Sequence, residues 1–239
     1  MILEKSTLVT SNPSRIVTFP RGSTSVWPEI QPVQAVGDPR IFGTIFQDVA
    51  LFHLELSERI CQQADTMPAN MQAAGGKKVR DADTWSMVAA QLLTWRALML
   101  YCVVRGIETA HVLDRWANVM TSGDYSTPHC HYDAEAAVVY SLDPGEIDAA
   151  QPMNGEFEII DPRIAFCCPY QAERPIRGLA PKLLPGTMLV FPAEILHHVR
   201  PYHGKRPRLT LAWNISAGPV PPGRVYDPTQ PVPFQMGQA

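Results

Sequence analysis

The chain has 239 residues, of which 46% are hydrophobic and 18% are charged, an ordinary composition for a globular protein with one large core or two modest ones. The formal net charge is −3, from 20 basic and 23 acidic residues. This balance offers no basic surface to a nucleic acid or an anionic membrane, and we expect neither partner.

Two features of the sequence predict a cytoplasmic protein. Residues Met1 to Lys5 do not begin a positive segment followed by an apolar one, so we expect no secretory signal. The five cysteines include the adjacent pair Cys167 and Cys168 but no CxxC spacing. Neither a disulfide framework nor a zinc knuckle is therefore predicted.

The first part of the chain predicts strands, then a helix, then a loop. Residues 1–45 are rich in Pro, Ser and Thr, and the short apolar runs Ser14 to Phe19 and Ile41 to Phe46 predict an arm of strands and turns. Apolar residues at helical spacing predict a helix from Asp48 to about Met67. The sequence Gly-Gly-Lys-Lys at 75–78 is typical of an exposed loop.

A second helix is predicted to run to about Arg105. Asp83 or Thr84 could cap its start, and Gly106 is a suitable stop. The segment is the most apolar of the chain but contains Arg96, which would be costly at a bilayer centre. We therefore interpret it as a buried amphipathic helix.

From Leu113 onward the apolar pattern changes from helical spacing to alternation, punctuated by Pro and Gly. This predicts an α+β, mainly β domain whose strands form a sandwich or barrel supported by the preceding helices. We expect one domain, made of a strand arm with supporting helices (1–112), a β core (113–216) and a Pro-rich tail (217–239). The predicted strands are Trp116–Met120, Ala136–Leu142, Glu156–Ile160, Thr187–Phe191 and Arg208–Ile215.

Five of the seven histidines fall in two short stretches of the β half, at 129, 131, 197, 198 and 203. In a strand, His129 and His131 share a face, and Asp133 joins them if the strand continues. A distant ligand would come from a predicted turn that contains His197. Two ligands two residues apart plus one distant histidine is how non-haem Fe(II) is held, although imidazole also suits copper, nickel and zinc.

The last predicted strand places Arg208 and Thr210 on one face. An arginine that points into a barrel needs an anionic partner, because an unpaired buried charge is very costly. A carboxylate that accepts two parallel hydrogen bonds is the natural one.

Five segments of the sequence together resemble the ordered motifs of the Fe(II)- and 2-oxoglutarate-dependent oxygenases. They are GDYSTPHCH, Tyr140 in the next strand, PGTMLVFP, LHHVRP and RLTLAWN. The likeness covers about residues 113–216 and is strongest to a bacterial and phage branch related to the prolyl hydroxylases. It implies a double-stranded β-helix (a cupin-like jelly roll), Fe(II) as cofactor, 2-oxoglutarate as cosubstrate, and a hydroxylase that releases succinate and CO₂.

The resemblance also implies roles for single residues. His129 and His197 match the two metal histidines of the family, and Arg208 with Thr210 matches its pair for the distal carboxylate of 2-oxoglutarate. Arg206 is a rival to Arg208, because it lies nearer the usual histidine-to-arginine spacing. Other residues expected to line the cosubstrate pocket are Tyr140 and Asn118.

The sequence departs from the family at His131, where Asp or Glu is usual. Three interpretations stay open for the third ligand. In the first, His131 completes a three-histidine face. In the second, His131 and Asp133 form the metal pair, with His129 behind them. In the third, the metal has two protein ligands and water.

Other residues have structural interpretations. We expect His53, His111 and His203 to be satisfied outside the site, and we expect His198 and Cys130 to point away from the metal. A further expectation is that segment 146–180, which contains Phe157, Arg163 and Tyr170, forms a lid or substrate wall.

Two alternatives to a 2-oxoglutarate-dependent hydroxylase of a small or amino-acid-like substrate remain open. One is a three-histidine cupin-type dioxygenase that needs no 2-oxoglutarate, and the other is a non-catalytic jelly-roll protein that binds metal.

Overall fold

The structure, a computed structural model, describes residues 14–68, 75–146, 150–160 and 179–218. The predictions for the tail beyond Gly218, for Arg163 and Tyr170, and for Cys167 and Cys168 lie outside these residues. The described part contains twelve strands: β1 (Ile16–Phe19), β2 (Gly22–Ser25), β3 (Gln34–Val36), β4 (Asp38–Ile45), β5 (Lys77–Val79), β6 (Ala110–Met120), β7 (Ser126–His129), β8 (Ala136–Asp143), β9 (Phe157–Ile160), β10 (Thr187–Pro192), β11 (Leu196–Val199) and β12 (Arg208–Ala217).

The strands form two facing sheets and a separate hairpin. A seven-stranded sheet has the order β3-β4-β10-β8-β12-β6-β5, and a three-stranded sheet has the order β7-β11-β9. All pairings between these strands are antiparallel. Among the described strands, β1 and β2 pair only with each other. This is the mainly β jelly roll with supporting helices that the sequence predicted.

Three helices, α1 (His53–Asp65), α2 (Ala82–Ser86) and α3 (Val88–Arg105), pack against the large sheet, and a short 3₁₀ turn at Val49–Leu51 precedes α1. The predicted second helix is divided at Met87, which is extended, so one periodic stretch forms two helices. The predicted caps Asp83 and Thr84 are wrong, because the Asp81 side chain accepts the hydrogen bond from the Thr84 N–H.

The C-terminal end of α3 agrees with the sequence. Gly106 follows the helix in the left-handed region at φ 62°, where a glycine meets no Cβ penalty. Helix α3 has the length and apolar composition of a membrane span, but 61% of that window is buried inside the fold, and a core helix passes the same test.

Two hydrophobic cores lie on opposite faces of the seven-stranded sheet. The larger fills the space between this sheet and the helices and includes Leu209, Leu211 and Trp213 of β12. The smaller lies between the two sheets and includes Phe157 and Phe191. Because side chains alternate along a strand, Arg208, Thr210, Ala212 and Asn214 of β12 face the interior of the roll.

Two local predictions are wrong. The Gly-Gly-Lys-Lys segment is not simply an exposed loop, because Lys77 and Lys78 begin β5, which pairs with β6 at the edge of the large sheet. Likewise, His197 and His198 do not lie in a turn but in β11, the central strand of the small sheet.

Candidate metal and cosubstrate site

Three imidazoles converge inside the roll at one end of the small sheet. The register of β7 and β11 places His129 opposite His197, and their ring centroids are 4.4 Å apart. His131 follows two residues after His129, and its ring centroid lies 5.1 Å from that of His197. One ligand atom from each of the three lies within 4.8 Å of the others, so the group could hold a metal ion.

The backbone fixes the ring orientation of two of the histidines. Nδ1 of His129 lies 2.8 Å from the carbonyl of Thr127, and Nδ1 of His197 lies 3.0 Å from the carbonyl of Ile195. A carbonyl oxygen only accepts, so each Nδ1 carries the hydrogen and donates it. Each Nε2 is then a free acceptor, which is the arrangement that ligating histidines have in metal sites.

The spacing of the imidazole nitrogen atoms matches that of two ligands on one metal ion. Nε2 of His131 lies 3.3 Å from Nε2 of His197. Two ligands at about 2.0–2.1 Å from one ion are separated by about this distance. The three imidazoles therefore fit a non-haem metal ion.

Burial favours the neutral, ligating form of these rings. It lowers the pKa of His131 and of His197 to about 3, and it also lowers the pKa of His129. In His131 and His197, the neighbouring imidazoles add to the effect. Burial therefore favours the neutral rings that a metal ion needs as ligands.

The structure separates the other candidate ligands from this cluster. Strand β7 ends at His129, so alternation does not continue to Asp133, which is exposed in a turn. His198 points to the opposite face of β11, where its Nε2 lies 3.1 Å from the Glu158 carboxylate. Cys130 is half-buried and is not one of the converging groups. Of the open interpretations for the third ligand, the geometry favours His131.

Arg208 lies on the interior face of β12 and is only 4% exposed. Burial lowers its pKa to about 10, which still leaves it charged at neutral pH. Its described contacts are with Met120, whose sulfur is 4.0 Å from Nη1, and with Gly155, where an added Cβ would be 3.3 Å from Cδ. Among the described residues, no carboxylate lies within ion-pair distance of this guanidinium.

A row of polar groups connects the arginine with the histidines along the interior face. Thr210 pairs with Asn118 across β12 and β6, and the Asn118 amide donates to its hydroxyl at 3.3 Å. The indole N–H of Trp116 donates to the Asn118 carbonyl at 3.0 Å, and the Trp116 ring lies 5.6 Å from the His131 ring. The predicted pair and Asn118 thus lie on the same surface as the imidazoles.

Two of the predicted pocket residues lie elsewhere. Tyr140 belongs to the core under the helices, and its hydroxyl is 2.6 Å from Nε2 of His53. It faces away from the histidine cluster, so its predicted place in the cosubstrate pocket is wrong. Arg206, the rival to Arg208, is exposed and forms an ion pair with Asp143 at 2.9 Å.

The histidines expected to be structural lie outside the metal cluster. His53 contacts the Tyr140 hydroxyl, as described above. Nδ1 of His111 donates to the carbonyl of Gly218 at 2.9 Å. His203 is exposed. Phe157, from the segment predicted as a substrate wall, lies in the interior core, 5.6 Å from the His197 ring.

Sequence reasoning missed two residues near the site. Tyr202 is fully buried in the interior core and packs against Gly155 beside Arg208. Lys78 lies next to Asn118 in the sheet register, with its ammonium 4.9 Å from the centre of the Trp116 ring. Lys78 lies between Lys77 and Val79, which both face the helices. This alternation is the signal that could have found Lys78, but the Gly-Gly-Lys-Lys sequence concealed the strand.

A jelly roll that carries three converging imidazoles and a buried arginine on its interior face has the architecture of a non-haem metal oxygenase. Residues 114–214 match the family described as "Putative 2OG-Fe(II) oxygenase". This part of the chain, which holds the whole site except Lys78, is a 2OG-Fe(II) oxygenase domain. The match and the fold together support a 2-oxoglutarate-dependent non-haem iron oxygenase, a family whose cofactor and cosubstrate are Fe(II) and 2-oxoglutarate.

Solved structures with TM-scores above 0.5 support the same fold. The epimerase SnoN, crystallised with Fe³⁺, alpha ketoglutarate and nogalamycin RO, is 13% identical with a TM-score of 0.55, over 83% of this chain and 91% of that one. AviO1 from Streptomyces viridochromogenes Tue57 is 13% identical with a TM-score of 0.52, over 74% and 88%. A Pseudomonas putida prolyl-4-hydroxylase is 19% identical with a TM-score of 0.45, over 79% and 93%. No curated protein matches the sequence.

Proposed function

We propose that this oxygenase hydroxylates a small or amino-acid-like substrate, with iron held by His129, His131 and His197 and the distal carboxylate of 2-oxoglutarate held by Arg208 and Thr210. The balanced reaction converts substrate, O₂ and 2-oxoglutarate into hydroxylated substrate, succinate and CO₂. One oxygen atom enters the substrate and the other enters succinate.

The observation that carries the proposal is the buried guanidinium of Arg208. The side chain is 4% exposed, and no carboxylate lies beside it in the described ranges. Burying such a charge costs free energy unless a bound anion compensates it. A dicarboxylic keto acid supplies that anion at one end and reaches the imidazole cluster with the other. The Thr210 hydroxyl, which accepts from the Asn118 amide, lies on the same face and can donate its hydrogen to the same carboxylate.

The chain's own residues position the reactants and exclude water. The three imidazoles would hold the ion from one side, which would leave its other positions to cosubstrate and O₂. Bound Fe(II) supplies the activation of O₂ at the expense of the keto acid, chemistry that no side chain can perform. Phe157 and Phe191 pack on the His197 ring, at 5.6 and 4.9 Å between ring centroids, and make its surroundings apolar and dry.

The test is an anaerobic titration of the protein with Fe(II), with and without 2-oxoglutarate. We expect a weak visible metal-to-ligand band that requires both, and succinate formation when O₂ is admitted. Iron binding without the band and without succinate would overturn the proposal.

That contrary outcome would favour a three-histidine dioxygenase that does not use 2-oxoglutarate. The observation in its favour is His131, because an all-histidine face lacks the carboxylate usual in this family. In that enzyme Arg208 would be dispensable for turnover. Succinate measured for wild type and for Arg208→Met separates the two candidates.

A further inference from the structure

A second cation lies on the interior surface, away from Arg208. Strand β5 pairs Lys78 with Asn118, while its neighbours Lys77 and Val79 face the helices. The ammonium of Lys77 donates to the carbonyl of Ala64 in α1, and Val79 is fully buried in the helix-side core. Because side chains alternate, Lys78 faces the interior of the roll.

The ammonium of Lys78 lies at the histidine cluster rather than at the outer surface. It is 4.9 Å from the centre of the Trp116 ring, whose centroid in turn is 5.6 Å from that of His131. The Trp116 ring therefore lies between the Lys78 ammonium and the histidine cluster.

The charge of Lys78 is poorly compensated. Burial is the main cause that lowers its pKa to about 8, the nearby Arg80 lowers it further, and Asp114 opposes the shift. The Asp114 carboxylate is itself engaged by Arg80, at 2.9 Å. Within the described part of the chain, no carboxylate lies within 4.0 Å of the Lys78 ammonium.

Both charged ends of 2-oxoglutarate are already assigned. On the proposed function, on which this inference rests, the distal carboxylate lies at Arg208 and the keto acid end lies at the metal. Arg208 and Lys78 belong to strands on opposite sides of β6, roughly 10 Å apart at a strand spacing of about 4.8 Å. The distal carboxylate of 2-oxoglutarate therefore does not reach Lys78, and the keto acid end is engaged by the metal, so we assign an anion at Lys78 to a different molecule.

We propose that Lys78 binds a carboxylate of the substrate, and that Trp116 forms the wall between this carboxylate and the metal. The substrate class is then a carboxylic acid, such as an amino acid or a related small acid, with the oxidised C–H bond a few bonds from the carboxylate. Lys78 is partly exposed, so a ligand can reach it from solvent.

The experiment uses simple probes and the anaerobic complex of the protein with Fe(II) and 2-oxoglutarate. Benzoate, 3-phenylpropionate and N-acetylglycine are titrated by calorimetry, each beside its primary amide, while the visible band is recorded. We expect the acids to bind better than the amides and the band to persist. Lys78→Met should weaken acid binding by about tenfold or more, as for loss of a charge-assisted hydrogen bond.

Two further variants serve as controls. Lys77→Met removes the adjacent ammonium, which faces the helix side, and should keep the wild-type preference for acids. Lys78→Arg keeps the charge and should retain most of the preference. This second result keeps the test valid if Lys78→Met fails to fold.

Three outcomes would overturn the inference. The first is that the wild type binds acids and amides equally, or binds neither. The second is that wild type and Lys78→Met bind the acids equally. The third is that the acids bleach the band, which would place the acids at Arg208. If the band never forms, the proposed function fails instead. The acid and amide titrations of the Zn(II)-loaded protein would then still decide whether Lys78 binds a carboxylate.

Discussion

His129 and His197 are direct cross-strand partners in the pairing of β7 with β11, with ring centroids 4.4 Å apart. Two residues separated by 68 positions are thus brought together by strand register rather than by a loop. A one-residue slip in that register would turn His197 outward and His198 inward. The metal geometry therefore depends on the backbone pairing of the small sheet.

Removal of a central imidazole should abolish metal binding. We expect His197→Ala to weaken Fe(II) affinity by more than about 100-fold, since loss of even an outer partner of a ligand costs about 10- to 100-fold. Anaerobic equilibrium dialysis measures the affinity. His198→Ala is the matched control, because its ring lies on the opposite face against Glu158. Equal losses in the two variants would contradict the assignment.

The third ligand is decided by a second pair of variants. His131→Ala should also reduce Fe(II) affinity by more than about 100-fold, because its Nε2 is 3.3 Å from that of His197. Asp133→Ala should leave affinity nearly unchanged, because Asp133 is exposed in the following turn. The reverse order of effects in the same dialysis would show that the carboxylate holds the metal.

Arg208, the first residue of β12, and Arg206, two residues before it, should differ in their effect on 2-oxoglutarate binding. Arg208→Met should weaken its binding by about 30-fold or more, the lower range for breaking a buried, hydrogen-bonded charge pair. Fe(II) affinity should be retained. Arg206→Met removes an exposed ion pair with Asp143 and should change the affinity little. Each variant is titrated with 2-oxoglutarate while the visible band is recorded, which gives the dissociation constant of 2-oxoglutarate for each.

Arg208 could be found from the sequence because the alternation in β12 is clean. Apolar Leu209 and Leu211 face the helices, so Arg208 and Thr210 had to face the interior. The same reasoning failed for Tyr140. Almost the whole of β8 is buried on both faces, so its polarity pattern does not reveal which face points toward the metal.

Other features depend on tertiary contacts that a single sequence does not contain. Lys78 is in a strand only because β6 provides an edge for it. Asp133 leaves the metal face because β7 ends early, while His131 is held near it by a hydrogen bond from its N–H to the carbonyl of Ala193 at 2.8 Å. Such edges and strand ends are set by neighbouring strands.

Fold stability should depend strongly on the buried ion pair of Arg96 with Asp48. Arg96 is fully buried, with Nη1 2.8 Å and Nη2 2.6 Å from the two carboxylate oxygens. Arg96→Met should lower the free energy of unfolding by about 3–5 kcal/mol, because it leaves a part-buried charge uncompensated. Arg59→Met breaks an exposed 3.8 Å pair with Asp83 and should cost less than about 1 kcal/mol.

Urea unfolding of the two variants measures both effects. Adding Asp48→Asn to Arg96→Met should recover part of the loss, since it removes the uncompensated charge. A loss for Arg59→Met as large as that for Arg96→Met would contradict the dependence on burial.

His53 should make stability depend on pH below neutrality. Burial lowers its pKa from 6.5 to about 4 in the folded protein. Between these values the unfolded chain binds a proton that the folded chain does not, so stability is complete above pH 6.5 and falls as the pH drops toward 4. At pH 5 this group should cost about 2 kcal/mol of the free energy of unfolding.

The variant His53→Gln isolates this contribution. Glutamine keeps a polar group beside the Tyr140 hydroxyl but does not ionise. Urea unfolding of metal-free wild type and variant at pH 7.5 and pH 5 should therefore show a loss about 2 kcal/mol smaller in the variant. The clustered histidines titrate alike in both proteins and cancel in the difference. Equal losses would mean that His53 is protonated as readily in the folded protein as in the unfolded chain.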